Sequence, residues 1–325
     1  MSETRQPPSG RTLRIGTRAS ALALWQARHV ESLIRALPGA PPVELVPITT
    51  TGDVRADIPL WAVRGRAFFT KEIDRALLEG RIDIAVHSLK DLPTAMEPGL
   101  ALAAILERED PRDALVSRTG AALPQLPPGA RVGTSSLRRR AFLASTRADL
   151  MLLELRGNVP TRLERLDQDG YDAIVLAAAG LKRLGLEHRI SQHLSPEAIP
   201  PAVSQGAIGV CTRADDRYSA GWLQPLDHPP TRLATTAERA LLQRIEGGCQ
   251  VPLGALAAAS RSGIHLHAAV CALDGSRRLS ASGDAQPAEA AAEALGQRLA
   301  AELLAQGAGS LIAAQREVQG RAEAP

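Results

Sequence analysis

The sequence predicts an α/β protein: two units of alternating strands and helices, followed by a smaller α+β unit. Three observations carry this. Short apolar runs alternate with helical patterns over 13–107, and the alternation resumes over 111–199. Past Pro229-Pro230 the pattern changes to one long helix and then to strands of alternating polarity that turn back at Asp274-Gly275. Strand–helix alternation argues for mainly parallel sheets covered by helices, and Asp-Gly between apolar runs is a hairpin signal.

In order, Leu13-Arg14-Ile15 reads as a strand, and Ser20 can cap a helix running through Ala36, before Pro38-Gly39. A second strand is expected over 43–48. A helix follows over 70–79, with Ile73, Leu77 and Leu78 on one face and Gly80 after its end. A third strand over 82–86 leads into His87-Ser88-Leu89-Lys90-Asp91. In the second unit, strands are expected over 114–116, 131–133, 150–155 and 172–176, and helices over 136–144, 160–166 and 179–184. The run 207–212 is a further strand, expected to cross back to the first unit. Beyond it come a helix over 231–246, strands over 254–259 and 264–273, and a terminal helix over 288–304. No internal repeat is strong enough to use.

At 325 residues the chain should form about two or three domains. A hydrophobic fraction of 45% with 22% charged residues is ordinary for a folded protein and argues against disorder. Aromatic residues make up only 2%, so the cores must be built from Leu, Val, Ile and Ala, and the scarcity weakens a nucleic-acid reading, since single-strand binding usually needs stacking platforms. The net charge of +3 is modest, and Lys71, Lys90 and Lys182 are the only lysines. Arginine's planar fork suits carboxylate and phosphate ligands. Cys211, Cys249 and Cys271 have no metal-type spacing, which argues for a reducing compartment and no disulfide framework. Cys211 and Cys271 lie in apolar runs and read as buried strand residues. The first twelve residues are polar, unlike a secretory signal, and no run approaches the ~20 apolar residues that span a membrane. The expectation is a cytoplasmic protein without nucleic-acid or membrane partners. With neither a ligand cluster nor a phosphate-loop motif, no metal or nucleotide is expected.

The most informative run is Glu238-Arg239-Ala240-Leu241-Leu242-Gln243-Arg244-Ile245-Glu246-Gly247-Gly248-Cys249-Gln250-Val251-Pro252-Leu253-Gly254. A leucine- and arginine-rich helical pattern stops at two glycines, which places Cys249 on a turn, with Pro252 keeping the chain extended beyond it. A thiol on a loop can serve as a nucleophile or attachment point, although most free cysteines are small core residues. Here the whole run resembles the cysteine signature of the porphobilinogen deaminase family, position by position, and further segments match in the same order along nearly the entire chain.

That resemblance implies two domains like those of periplasmic binding proteins around a cleft, plus a small C-terminal α+β domain bearing the cysteine. The division expected is 1–108 with 201–224, then 109–200, then 225–325. It implies a monomeric transferase of tetrapyrrole and heme biosynthesis. Such an enzyme deaminates four porphobilinogen molecules and joins them head-to-tail on a dipyrromethane held by Cys249 through a thioether. Hydrolysis then releases hydroxymethylbilane.

The site residues follow motif by motif. Asp91, in Ala85-Val86-His87-Ser88-Leu89-Lys90-Asp91-Leu92-Pro93, matches the family's catalytic aspartate. A carboxylate beside the pyrrole nitrogens can stabilise positive charge as ammonia leaves and shuttle protons. His87 competes as a general acid and ranks second. Lys90 either holds a carboxylate or pairs with Asp91. In Gly133-Thr134-Ser135-Ser136-Leu137-Arg138-Arg139-Arg140, hydroxyl residues open a helix whose N-terminus favours anions. By resemblance Ser136, Arg138 and Arg139 bind the acetate and propionate groups, although the same pattern could be a solvated basic helix start. Arg156 and Arg162, in Leu155-Arg156-Gly157-Asn158-Val159-Pro160-Thr161-Arg162-Leu163, carry over as further ligands, as do Arg18 and Ser20 in Gly16-Thr17-Arg18-Ala19-Ser20. Arg183 is a weaker candidate, since its helix could be exposed.

Two departures from the family pattern stand out. The segment 59–69, which corresponds to a loop over the active site, carries Ala62 and Arg66 where relatives usually have lysine, and Trp61 and Phe68 make it bulkier. Ser204 stands where glycine is usual, near the expected hinge. A rival reading is a two-domain solute-binding or sensor protein that closes on a small anion. It leaves the cysteine loop and the third unit without a purpose. A weaker one is a relative that keeps the primer without elongating it.

Overall fold

Three sheets organise the described residues, and the first two share one strand plan. The computed structural model describes residues 11–54, 70–168, 170–245 and 251–322. Gly247, Gly248 and Cys249, together with the segment 59–69, lie outside the described residues.

The first unit contains β1 (Leu13–Arg18), α1 (Ala21–Arg35), β2 (Val43–Ile48), the short α2 (Thr51–Val54), α3 (Lys71–Leu78), β3 (Ile84–Ser88) and β4 (Leu100–Ile105). The second contains β5 (Asp113–Ser117), β6 (Arg131–Gly133), α4 (Leu137–Thr146), β7 (Met151–Leu153), α5 (Val159–Gln168), β8 (Ala173–Ala177), α6 (Ala178–Arg183) and β9 (Gln192–His193). The strand β10 (Ile208–Arg213) returns to the first sheet, giving the orders β2-β1-β3-β10-β4 and β7-β6-β8-β5-β9. In each, three parallel strands are followed by one antiparallel strand and an edge strand. The reversed strand of each sheet is the one that enters from the other unit, so the two units exchange a strand through crossovers over 106–112 and 194–207.

Most expected elements are present, including the return of β10. Mainly parallel sheets need one correction, the antiparallel β5 and β10. Besides the short α2 and β9, three longer elements were not expected. β4 reads Leu-Ala-Leu-Ala-Ala-Ile, with no β-branched residue before Ile105, so its composition fits a helix equally well. The others are α7 (Arg217–Leu223), capped by Asp216 accepting from Ser219 N at 3.0 Å, and α10 (Ala308–Ala322). Leu78 is not on the buried face of α3: Ile73 and Leu77 are fully buried, while Leu78 is 43% exposed.

The third unit packs α8 (Pro229–Arg244) and α9 (Glu289–Ala305) against an antiparallel sheet of β11 (Leu253–Ser260), β12 (Gly263–Cys271) and β13 (Arg278–Ala285). Leu241, Leu253, Leu266, Val270, Leu295 and Leu299 form its core. Gly296 lets the helices approach closely, since a Cβ there would lie 2.2 Å from the Ala237 carbonyl oxygen.

All three units meet at Glu238 on α8. Its fully buried carboxylate accepts from Arg108 Nη1 at 2.6 Å, Ser204 N at 2.6 Å and Ala257 N at 2.8 Å. Arg108 also donates from Nε to the Gln205 carbonyl at 2.8 Å. One ion pair therefore joins both crossovers to the C-terminal unit. Ser204 has φ 62°, a conformation that glycine adopts without strain and a serine does not.

Candidate active site

The residues singled out by motif fall at the carboxyl ends of the parallel strands β1, β3, β6, β7 and β8, where open α/β sheets bind ligands. At the end of β3, a 3-10 turn over Leu89–Asp91 is pinned from both sides. Leu89 is fully buried and its amide donates to the Ala207 carbonyl at 3.0 Å, while Leu92 is buried beyond the turn. Upstream, the buried amide of Gln26 on α1 donates to Ser88 Oγ at 2.9 Å. These anchors fix the backbone that presents half-buried Lys90 and Asp91.

Lys90 Nζ donates to Gln205 Oε1 at 3.2 Å, on the crossover between the units. Enclosure by protein atoms lowers its pKa to about 8; Asp91 opposes the shift, and Arg139 and Arg138 add to it. His87 is buried with its Nε2 unpartnered among the described residues. Burial and the nearby Arg18 push its pKa down to about 4. It is therefore neutral near pH 7 and cannot supply a proton as an imidazolium, which weakens its claim as general acid. Arg18 is half-buried, and Ser20 caps α1 by accepting from Ala23 N at 3.4 Å.

On the second unit, Ser136 is the N-cap of α4 and accepts from Arg139 N at 3.4 Å, leaving its O–H available as a donor. The solvated helix start is ruled out: Arg138 and Arg139 are 4% and 5% exposed. Both are engaged by the fully buried Asp113, Arg138 Nη1 at 2.7 Å and Arg139 Nη2 at 2.8 Å. Arg138 Nη1 also donates to the Pro200 carbonyl at 2.6 Å, and Arg139 Nη1 to that of Val175 at 2.9 Å. Burial pushes the Asp113 carboxyl up, but the two guanidiniums outweigh it and hold it well below the usual range. Arg139 Nε is buried without a partner among the described residues.

At the end of β7, Arg162 Nε donates to the Gly157 carbonyl at 2.7 Å. Burial, Arg139 and Arg156 together depress the Arg162 guanidinium to about 10. Arg156, Arg162, Arg139, Arg138 and Lys90 thus form one electropositive cluster. Arg183 does not sit on an exposed helix: it is 9% exposed, donates to the Gly206 carbonyl at 2.6 Å and lies 5.7 Å from the centre of the Trp25 ring. It ties α6 to α1 and to the crossover.

The motifs did not single out Asp113 or Gln205. Asp113 opens a fully buried apolar strand, an unusual place for an acid, and that was the available signal. Two other groups are structural. Burial works against the Asp83 carboxylate at the opposite end of β3, but hydrogen bonds from Arg14 and Arg11 hold its pKa at about 2. Cys211 is fully buried, which pushes its thiol up to about 12, so it is no nucleophile.

The donor set fits a primer bearing several carboxylates. The clustered cations depress one another, and an interior guanidinium N–H lacks an acceptor among the described residues, so acidic groups are what the cluster calls for. Among the described residues, no group of three or more His, Cys, Asp or Glu could hold a metal ion, and no helix is long and apolar enough to cross a membrane.

Comparison with known families finds two matches. Residues 13–220 match the model described as "Porphobilinogen deaminase, dipyromethane cofactor binding domain", and residues 232–305 match "Porphobilinogen deaminase, C-terminal domain". Among solved structures, the chain is similar to the VFT2 domain of BvgS from Bordetella pertussis (14% identity, 66% of this chain and 85% of that one, TM-score 0.40). It is also similar to the methionine-binding protein MetQ (15% identity, 70% and 93% covered, TM-score 0.40). A third is an arginine-specific periplasmic binding protein from Salmonella typhimurium (14% identity, 66% and 91% covered, TM-score 0.36).

Proposed function

The chain belongs to the porphobilinogen deaminase family, and from that premise we propose that Asp91 is its catalytic group, that Cys249 carries the primer and that the cation cluster holds carboxylates. Membership makes the protein a transferase, a hydroxymethylbilane synthase of tetrapyrrole and heme biosynthesis with a dipyrromethane cofactor. It polymerises four porphobilinogen molecules head-to-tail.

The observation that carries the residue assignment is the surplus of cations at the strand ends. Lys90, Arg138, Arg139, Arg156 and Arg162 crowd together, and Asp113 is already spent on two of them. Each porphobilinogen brings an acetate and a propionate, so the growing chain supplies the missing negative charge, and arginine can grip each carboxylate bidentately.

Lys90, Ser136, Arg138 and Arg139 would hold the cofactor's acidic groups. Arg18, Ser20, Arg156, Arg162 and Arg183 would bind the incoming substrate and the elongating chain. When bound, dipyrromethane supplies the free pyrrole α-carbon from which the chain begins. Asp91 would sit beside the pyrrole nitrogen where positive charge develops as ammonia leaves, stabilise that charge, and accept and return the proton. A group pinned on both flanks, as the 3-10 turn is, loses little entropy in doing so.

The same reading divides the chain at 1–108 with 201–224, 109–200 and 225–325, a division that sheet membership supports. A monomer acting in the cytoplasm, without nucleic-acid or membrane partners, belongs to it as well. The solute-binding alternative is less supported, since family models cover both α/β units and the third unit that a binder does not need.

Asp91→Asn tests the assignment. The variant should retain its covalent primer by mass while turnover drops by on the order of a hundredfold or more. Turnover near that of the parent enzyme would make Asp91 a turn residue and remove the catalytic role.

A further inference from the structure

Asp113 and Gln205 form a polar bridge between the two α/β units that the family assignment leaves without a purpose. Asp113 begins β5 in the second sheet, and Gln205 lies on the crossover that leads back to β10 in the first. Both are almost wholly buried, Asp113 at 0% and Gln205 at 1% exposure. Such groups are retained in an interior only when fully satisfied, and these are. Asp113 Oδ2 accepts from Arg138, and Asp113 Oδ1 accepts from Arg139 and from Gln205 Nε2 at 2.9 Å. Gln205 Nε2 also donates to the Pro111 carbonyl at 2.8 Å, which fixes the amide's orientation. With both its N–H groups committed, the amide has its oxygen turned to Lys90, 3.2 Å away.

We infer that Asp113 and Gln205 are positioning residues for the reaction: Asp113 fixes the two α4 arginines and, through the Gln205 amide, sets the Lys90 ammonium beside Asp91. The inference rests on the functional reading above. One carboxylate thereby aligns cations contributed by opposite units, and the amide passes that alignment across the crossover without adding charge. Glutamine suits this role because it donates at one end and accepts at the other. Glutamate at 205 would face Asp113 as a like charge, and asparagine is one methylene too short to span both contacts.

Asp113→Asn strands two buried guanidiniums and can unfold the chain, so the deciding variant is Gln205→Ala, which leaves both ion pairs in place. The purified holoenzyme with its primer attached would be assayed with porphobilinogen across pH 6 to 10. With Lys90 deprived of its neutral acceptor and free to swing, kcat should fall by on the order of ten- to a hundredfold. The basic limb of the pH profile should move to lower pH. A residue that served only stability would leave that limb in place, whatever happened to the melting temperature. A Gln205→Ala enzyme with kcat within twofold of the parent and an unmoved limb overturns the inference. Asp91→Asn assayed alongside separates the two levels. A dead Asp91→Asn with a normal Gln205→Ala removes only the bridge, whereas full turnover in Asp91→Asn removes the active-site reading and the bridge together.

Discussion

Lys90 holds its charge under strain near neutral pH. Enclosure by protein atoms drives its pKa down to about 8, with Arg139 and Arg138 adding to the shift and Asp91 resisting it. Below that value the ammonium is charged and can hold a carboxylate; as pH rises through it, the charge and the grip are lost. The expected outcome is a fall in kcat/KM for porphobilinogen on the alkaline side of a pH–rate profile, at a pH above about 8, because a carboxylate held by the ammonium raises its pKa. Lys90→Arg, whose guanidinium stays charged throughout this range, should lose that limb even if its geometry lowers the rate. A limb that persists unchanged in Lys90→Arg would assign it to another group. Asp91 and Lys90 were legible through the resemblance of the run 85–93 to the family's strand-end motif, since an aspartate after a strand would by itself read as a cap or turn residue. Lys90's partner was not: Gln205 lies 115 residues away, and no local pattern encodes that contact.

The elements that carry the cations do so by their N-terminal turns. α4 begins at a serine cap and turns Arg138 and Arg139 inward, where a basic helix start would ordinarily face solvent. That reversal is set by Asp113, a tertiary partner outside the helix, which is why local sequence left the burial of these arginines open. The turn before α5 depends on Gly157, at φ 114°, whose carbonyl accepts from Arg162. A Cβ there would lie 2.9 Å from Thr161 Cγ2. Gly157→Ala should therefore cost about 1–3 kcal/mol in urea denaturation and raise KM as Arg162 loses its anchor. If both values matched the parent, the turn would not be what holds Arg162. Hydrophobic periodicity located most helices and strands, but it missed β4, whose alanines carry no strand signal, and it set Leu78 on the wrong side of α3.

Across the whole molecule, two α/β units of identical strand order exchange one strand each, and Glu238 clamps both crossovers to the C-terminal unit. The duplication was invisible in the residues because strand order, and not side-chain identity, is what the two units share. The clamp was half visible: Glu238 opens the cysteine signature, yet its partners Arg108 and Ser204 come from distant crossovers. α8 carries Glu238 and ends just before the cysteine segment, so the clamp anchors the helix from which Cys249 departs. Removing either member of a buried pair of this kind leaves an uncompensated charge, so the placement of α8 depends on the junction of all three units.

The central claim is that Cys249 bears a primer on which four rings are assembled. Intact mass spectrometry under denaturing conditions, before and after adding porphobilinogen, tests it most directly. The account predicts a covalent addition equal to two pyrrole units, mapped to Cys249 and absent in Cys249→Ser, followed by a ladder of one-ring steps. Protein at its unmodified mass, even after incubation with preformed hydroxymethylbilane and then porphobilinogen, would contradict it, as would a Cys249→Ser chain that still carried the addition.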